Sequence, residues 1–197
     1  MLEYLQSSQV IDWETPDILS LAQQLRGVSS SDVAIAKHCF EWVRDNIKHS
    51  CDYQLNPVTC KASDVLKFGT GYCYAKSHLL AALLRANKIP TGLCYQRLSI
   101  NDDGAPYCLH GLNAVYLKDF GWYRMDARGN KEGVDAQFFP PIEQLAFPLQ
   151  DKNEIDFDAI LSEPLPIIIK VLTQSETFNE VYDNLPDAES ITTEPSD

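Results

Sequence analysis

The chain has 197 residues, 45% of them hydrophobic and 10% aromatic, which supplies enough apolar surface for one well-formed core and excludes disorder throughout. Twenty-eight acidic side chains against sixteen Lys and Arg give a formal charge of −12, which excludes a general electrostatic footprint for nucleic acid or an anionic membrane. Seven of those acids lie in residues 173–197, where no Lys or Arg occurs, so residues 1–172 keep only −5.

Residues 1–10 mix Glu3, Gln6 and serines into the apolar positions, so no secretory leader is expected there. Thr15 before Pro16, with Gly27 as a stop, predicts a first helix. A second helix follows the serines at 29–31, with Val33, Ala36, Phe40, Val43 and Ile47 forming an apolar stripe at steps of three and four. From Lys48 to Gly71 the periodicity fades into loop with a short helix near 63–68. The stretch 73–86 is apolar nearly all round, which marks the central helix of the domain. Strands are then expected at 91–100, 109–117 and 122–127, with turns at Asn101-Asp102-Asp103-Gly104 and near Asp119-Phe120-Gly121. A last β-branched run occupies 165–172. Helices followed by an antiparallel sheet describe an α+β domain over 1–172. The acidic remainder, 173–197, is expected to be a disordered tail whose first half can dock as a short helix through Phe178, Val181, Tyr182 and Leu185. No apolar run approaches the ~18 residues of a membrane span. Six cysteines are few for a disulfide scaffold, so a cytoplasmic protein with free thiols is expected.

One of those thiols is placed for chemistry. Gly69-Thr70-Gly71-Tyr72-Cys73 leads directly into the central helix, where glycines permit a tight turn and the positive end of the macrodipole favours a thiolate. Cys73 is then either a nucleophile or simply a small apolar residue at a helix start. A nucleophile needs a base and a group that orients the base. His110 and Asp126 lie on successive predicted strands, and Asp126 sits among Trp122, Tyr123 and Met125, where an unpaired charge is costly. If Leu117 paired with Trp122, His110 and Asp126 would fall on opposite faces. A shared face requires a hairpin loop with an odd number of residues, or a bulge.

Three blocks of sequence then match a known pattern. Residues 71–90, opening with Gly71-Tyr72-Cys73 and closing with Leu84-Arg85-Ala86 ahead of Ile89-Pro90, resemble the nucleophile helix of the transglutaminase-like superfamily. His110-Gly111-Leu112-Asn113-Ala114-Val115-Tyr116-Leu117 resembles its histidine strand, and Trp122-Tyr123-Arg124-Met125-Asp126-Ala127 its tryptophan-to-aspartate strand. Trp42-Val43-Arg44-Asp45-Asn46-Ile47 is similar to the helix such domains carry upstream. The resemblance implies a papain-like α+β fold in which Cys73 is the nucleophile, His110 the general base and then acid, and Asp126 the group that fixes the imidazole tautomer. No cofactor is expected and no metal, since no common zinc spacing occurs and the cation sites of calcium-dependent transglutaminases have no visible counterpart in so short a chain. The Cys73 amide is one candidate oxyanion donor. Transglutaminases supply a second from an upstream tryptophan, but Trp13 and Trp42 stand in no matching place, which leaves Gln54 and Asn56 as candidates.

Other residues carry rival readings. Cys108 shares a strand face with His110 and is either a second thiol of the site or a core residue. His38-Cys39 with His49 and Cys51 matches no common zinc spacing. His78 lies five residues past Cys73 and points away from it, and Asp102-Asp103-Gly104 reads as a turn before a calcium loop. The expected activity is hydrolysis of a peptide, protein or small amide through a thioester. Amine-accepting transfer on the same residues, as in a transglutaminase or other acyltransferase, is the first alternative, and a non-catalytic binding module the second. Specificity is expected from the loops at 53–68, 101–107 and 137–147. A tail folded across the cleft would gate it.

Overall fold

Proline at its first position and glycine just past its end bound the first helix, α1 (Pro16–Arg26). Ser31 accepts the Ala34 amide at the head of α2 (Asp32–Asn46), whose apolar stripe buries Ile35, Ala36, Cys39, Phe40 and Val43. These elements belong to a computed structural model that describes residues 1–101 and 103–191. Next come β1 (Lys48–His49), α3 (Ser50–Tyr53), α4 (Ala62–Phe68), β2 (Thr70–Gly71) and α5 (Cys73–Ala86). The two short strands β1 and β2 pair in parallel, His49 opposite Gly71.

Helix α5 is buried along nearly its whole length, against α1, α2 and α4 on one side and the sheet on the other. Its polar exceptions act as pins, because a charge in the core persists only when its hydrogen-bonding capacity is used. The Lys76 ammonium donates to the carbonyls of Arg44 and Ile47. A ring nitrogen of His78 meets the Cys60 carbonyl at 2.8 Å. The Arg85 guanidinium donates to the carbonyls of Gln6, Thr91 and Ser162 at 2.6 to 3.1 Å. One helix thereby fixes four distant segments of chain.

The sheet comprises β3 (Thr91–Ser99), β4 (Tyr107–Leu117) and β5 (Gly121–Met125), followed by a separate hairpin of β6 (Gln137–Phe139) and β7 (Ile142–Gln144), and then β8 (Ile155–Asp156). The four-stranded order is β5-β4-β3-β8 and all its pairings are antiparallel. Helices packed on an antiparallel sheet make the α+β class expected from the sequence. In the β4–β5 hairpin, Asn113 opposes Met125 and Leu117 opposes Gly121, so residues 118–120 form a three-residue loop. That odd length puts the side chains of residues 110 and 126 on the same face.

Two expectations change. The run at 165–172 is helical, α6 (Pro166–Gln174), not extended: Pro166 opens it, and Ile168, Val171 and Leu172 bury one face at helical spacing. The expected break between 172 and 173 therefore falls inside a helix. The chain beyond is laid on the domain, through α7 (Phe178–Asp183), as far as Ile191. Val181 is fully buried, Leu185, Ala188 and Ile191 pack against the core, and Asp187 pairs with Arg97. Apolar anchors at irregular spacing offset the ordering cost that acidity suggested would prevail. Residues 192–197, with Glu194, Pro195 and Asp197, lie outside the described residues, as does Asp102 of the turn at 101–104.

Candidate active site

The first turn of α5 sets the geometry. Tyr72 is extended and provides no side-chain cap, so the opening amides of the helix, with that of Cys73 at their head, lack intrahelical partners. Two glycines allow the close packing around that turn. A Cβ on Gly71 would lie 3.0 Å from the Ala75 Cβ, and one on Gly111 would lie 3.0 Å from Tyr74 Cδ1 and 3.2 Å from its Cα. Strand β4 thus rests directly on the start of α5 and delivers His110 beside Cys73. The Tyr74 hydroxyl seals the contact by donating to the Leu109 carbonyl at 2.5 Å.

His110 Nε2 meets Asp126 Oδ2 at 2.6 Å, just past the end of β5. Asp126 is fully buried and also accepts the amides of Arg128 at 3.0 Å and Ala146 at 3.2 Å. Burial alone would raise this carboxyl. The His110 charge and hydrogen bond, with the two amides, outweigh that and hold it below the ordinary aspartate range. Burial likewise opposes a charged imidazole, yet the negative charge of Asp126 and then that of Cys73 prevail and push His110 up to about 10. Nε2 being engaged, Nδ1 is the nitrogen left for Cys73, and the arrangement favours an imidazolium at His110. Phe147 stacks edge-on against the ring at 5.1 Å and keeps water from that side.

Cys73, His110 and Phe147 line a cavity of about 260 Å³, together with His49, Tyr72, Cys108 and Arg128. Cys73 itself is only 7% exposed. Part of the cover is the chain's own C-terminal segment, since Tyr182 and Leu185 also line the cavity. That segment is held by four contacts. Tyr72 donates to the Phe178 carbonyl at 2.6 Å, Asn56 Oδ1 accepts the Phe178 amide at 2.8 Å, the Leu109 amide donates to the Pro186 carbonyl at 2.7 Å, and Arg97 grips Asp187 through two bonds at 2.6 and 2.7 Å.

The structure therefore brings Cys73, His110 and Asp126 into one site and leaves most other sequence candidates outside it. Cys108 does line the cavity, but burial first and the nearby Cys73 charge second push its thiol up to about 12, which keeps it protonated. His78 is fully buried behind α5, and burial lowers it to about 4. His38 reaches the Leu25 carbonyl and Cys39 is core, whereas His49 and Cys51 face the cavity, so these four do not form one cluster. Neither candidate for a second oxyanion donor is in place: Gln54 is exposed, and Asn56 is exposed with its carbonyl oxygen taken by Phe178. The Trp13 indole donates to the Leu5 carbonyl, and Trp42 lies in a different surface hollow, with His38 and Asp45. Sequence reasoning did not place His49 at the site, whereas it had the 137–147 loop, which ends at Phe147, beside the cleft and named a tail folded across it. For that tail, the apolar anchors at Tyr182 and Leu185 carried the signal.

The family model described as transglutaminase-like superfamily matches residues 19–127, more than half of the chain. No curated protein matches it in sequence. Among solved structures, a candidate cysteine protease from Cytophaga hutchinsonii is similar at 20% identity and a TM-score of 0.52, over 64% of this chain and 41% of that one. The periplasmic domain of TgpA from Pseudomonas aeruginosa is similar at 18% identity and a TM-score of 0.47, over 63% of this chain and 45% of that one. The chain thus spans less than half the length of either, and at these identities the likeness is one of fold.

Proposed function

Because the chain belongs to the transglutaminase-like superfamily, we propose that it is a cysteine-dependent enzyme that attacks an amide carbonyl through Cys73, His110 and Asp126 and hydrolyses the resulting thioester. The observation that carries this reading is the buried Asp126–His110 pair, 2.6 Å between Nε2 and Oδ2, presented to a thiol at the mouth of a helix.

The Cys73 thiolate adds to the carbonyl carbon, and the carbonyl electron pair moves onto oxygen, where the Cys73 amide receives it. Collapse of the tetrahedral species breaks the carbon–nitrogen bond while His110 Nδ1 passes its proton to the departing amine. The neutral imidazole then takes a proton from water, whose oxygen attacks the thioester; collapse breaks the carbon–sulfur bond, releases the acid and restores the Cys73 thiolate beside protonated His110. Asp126 stays ionised and holds the ring in the tautomer with Nε2–H. Proton transfer of this kind contributes roughly 10²–10⁴-fold to rate.

A peptide or protein substrate suits the site because an extended piece of chain already lies along it. The Leu109 amide, one residue from His110, donates to the Pro186 carbonyl, and Leu185 enters the cavity. A main-chain donor beside a side-chain pocket is how a strand edge receives a peptide.

Iodoacetamide tests the nucleophile. Mass mapping should find Cys73 alkylated ahead of the other five cysteines, and Cys73→Ala should remove the fast phase. Equal, slow labelling of all six would overturn the enzyme reading in favour of a binding module. A glutamine-containing peptide offered with and without a primary amine tests the second step. Release of acid in both supports hydrolysis, and incorporation of the amine in its place would make the protein an acyltransferase.

A further inference from the structure

The proposed mechanism draws one oxyanion donor from the Cys73 amide, and neither Gln54 nor Asn56 is in place to supply a second. His49 also lines the cavity. It is held there by two links to the nucleophile helix. Strand β1 pairs His49 with Gly71, two residues before Cys73, and Lys76, one turn into α5, donates to the Ile47 carbonyl two residues before His49. Its ring also lies edge-on to Tyr72, with centroids 5.4 Å apart. The imidazole is 7% exposed, and neither of its nitrogens has a hydrogen-bond partner among the described residues. Such an unpaired buried ring costs stability unless another task retains it.

Its surroundings decide its protonation. Burial, first, and the Arg128 guanidinium, second, hold His49 well below the ordinary histidine range, and Asp52 does not reverse this. That carboxylate is 3.8 Å from Nδ1 and already engaged by Arg128 at 2.6 and 3.0 Å and by Lys131 at 2.7 Å. A neutral imidazole carries one proton. Nδ1 is sealed from solvent, so Nε2 is the ring nitrogen that an incoming group can meet. With the proton on Nε2, that nitrogen is a donor.

We infer that His49 Nε2–H is the second oxyanion donor, so that the carbonyl oxygen of the substrate is received between the Cys73 amide and His49. A neutral donor suits this place: an imidazolium would compete with His110 for the Cys73 thiolate in the ground state, whereas a neutral N–H acts on the charge that develops on oxygen. The inference rests on Cys73 being the nucleophile, and its test separates the two.

Two reagents consume the same thiolate by different routes. Iodoacetamide is displaced at a saturated carbon and forms no oxyanion, whereas p-nitrophenyl acetate acylates through a tetrahedral one and expels p-nitrophenolate. Both rates are read at Cys73 by mass spectrometry in the wild type, His49→Phe and His49→Gln. Expected for His49→Phe is a fall in acetylation of about 10²-fold with alkylation within about 2-fold of wild type, and partial recovery of acetylation in His49→Gln, which restores an N–H. The native alkylation rate also reports that the variant is folded. Acetylation unchanged in both variants, or both reactions lost together in both, would overturn the inference, the second outcome meaning that His49 only supports the wall. Failure of Cys73 to react selectively in the wild type would instead overturn the nucleophile assignment, and the inference with it.

Discussion

The two walls of the cleft carry imidazoles of similar burial in opposite states. His110 is 5% exposed and His49 7%, and burial by itself would make both neutral. On one wall, Asp126 accepts its remaining hydrogen bonds from two backbone amides, and its charge, followed by that of Cys73, outweighs burial and raises His110 to about 10. On the other, Asp52 lies 3.8 Å from His49 but is shared between Arg128 and Lys131, which leaves His49 lowered. What separates them is a carboxylate hydrogen-bonded to the ring at 2.6 Å in one case and, in the other, a guanidinium acting on the ring beside a carboxylate 3.8 Å away that it already occupies. One wall is thereby suited to moving a proton and the other to holding one.

The contrast is broken most severely at its source. Asp126→Asn keeps the shape of the site but removes the charge and favours the wrong tautomer of His110. Acetylation of Cys73 by p-nitrophenyl acetate should fall by roughly 10³–10⁴-fold, and a loss under tenfold would mean that Asp126 does not govern the base. A smaller effect is expected from uncovering both walls. Deleting residues 175–197, or releasing the segment through Arg97→Ala, should raise the iodoacetamide rate at Cys73 several-fold, because the thiol is 7% exposed beneath Tyr182 and Leu185. Unchanged labelling in both variants would show that access runs by another path.

The smallest effect sharpens the comparison through stability. His110 is raised in the folded state, so its contribution is complete below the unfolded value near 6.5 and is lost as pH climbs toward about 10. His49 is lowered, so the unfolded chain takes up a proton that the buried ring refuses, and its contribution falls as pH drops below about 6.5. The Tm difference between wild type and His110→Gln should therefore shrink from pH 6.5 to 10, and that between wild type and His49→Gln should shrink from pH 6.5 to 5. Taking differences removes Lys76, lowered to about 7 chiefly by burial, which tilts the alkaline side the other way. Parallel profiles for the two variants would mean that the walls are not held apart as described.

Much of the His110 wall was legible before any coordinates. The periodicity of 73–86 marked a helix buried on all sides, and the parity of the hairpin demanded an odd loop, which the three residues 118–120 supply. These are short-range constraints: a step of 3.6 or of 2 along the chain decides which face a side chain takes. The run at 165–172 was read as extended from its β-branched composition, although Pro166 and the spacing of Ile168, Val171 and Leu172 fit the helix it forms, so there packing overrode propensity.

The other wall left almost no trace in the sequence. His49 reaches the cavity through a two-residue parallel pairing with a segment 22 positions away, too short to show a period. Its charge state depends on Arg128 and Lys131, which arrive from beyond β5 to occupy Asp52. The C-terminal segment likewise owes its place to the Arg97–Asp187 pair and the Leu109–Pro186 bond, contacts between residues 77 to 90 positions apart. The sequence by itself determined the helix that carries Cys73 and the strand faces that carry His110 and Asp126, because local periodicity encodes them. Which imidazole is charged, and what covers the thiol, was decided only by the tertiary structure, because both depend on how distant charges and apolar side chains share one cleft.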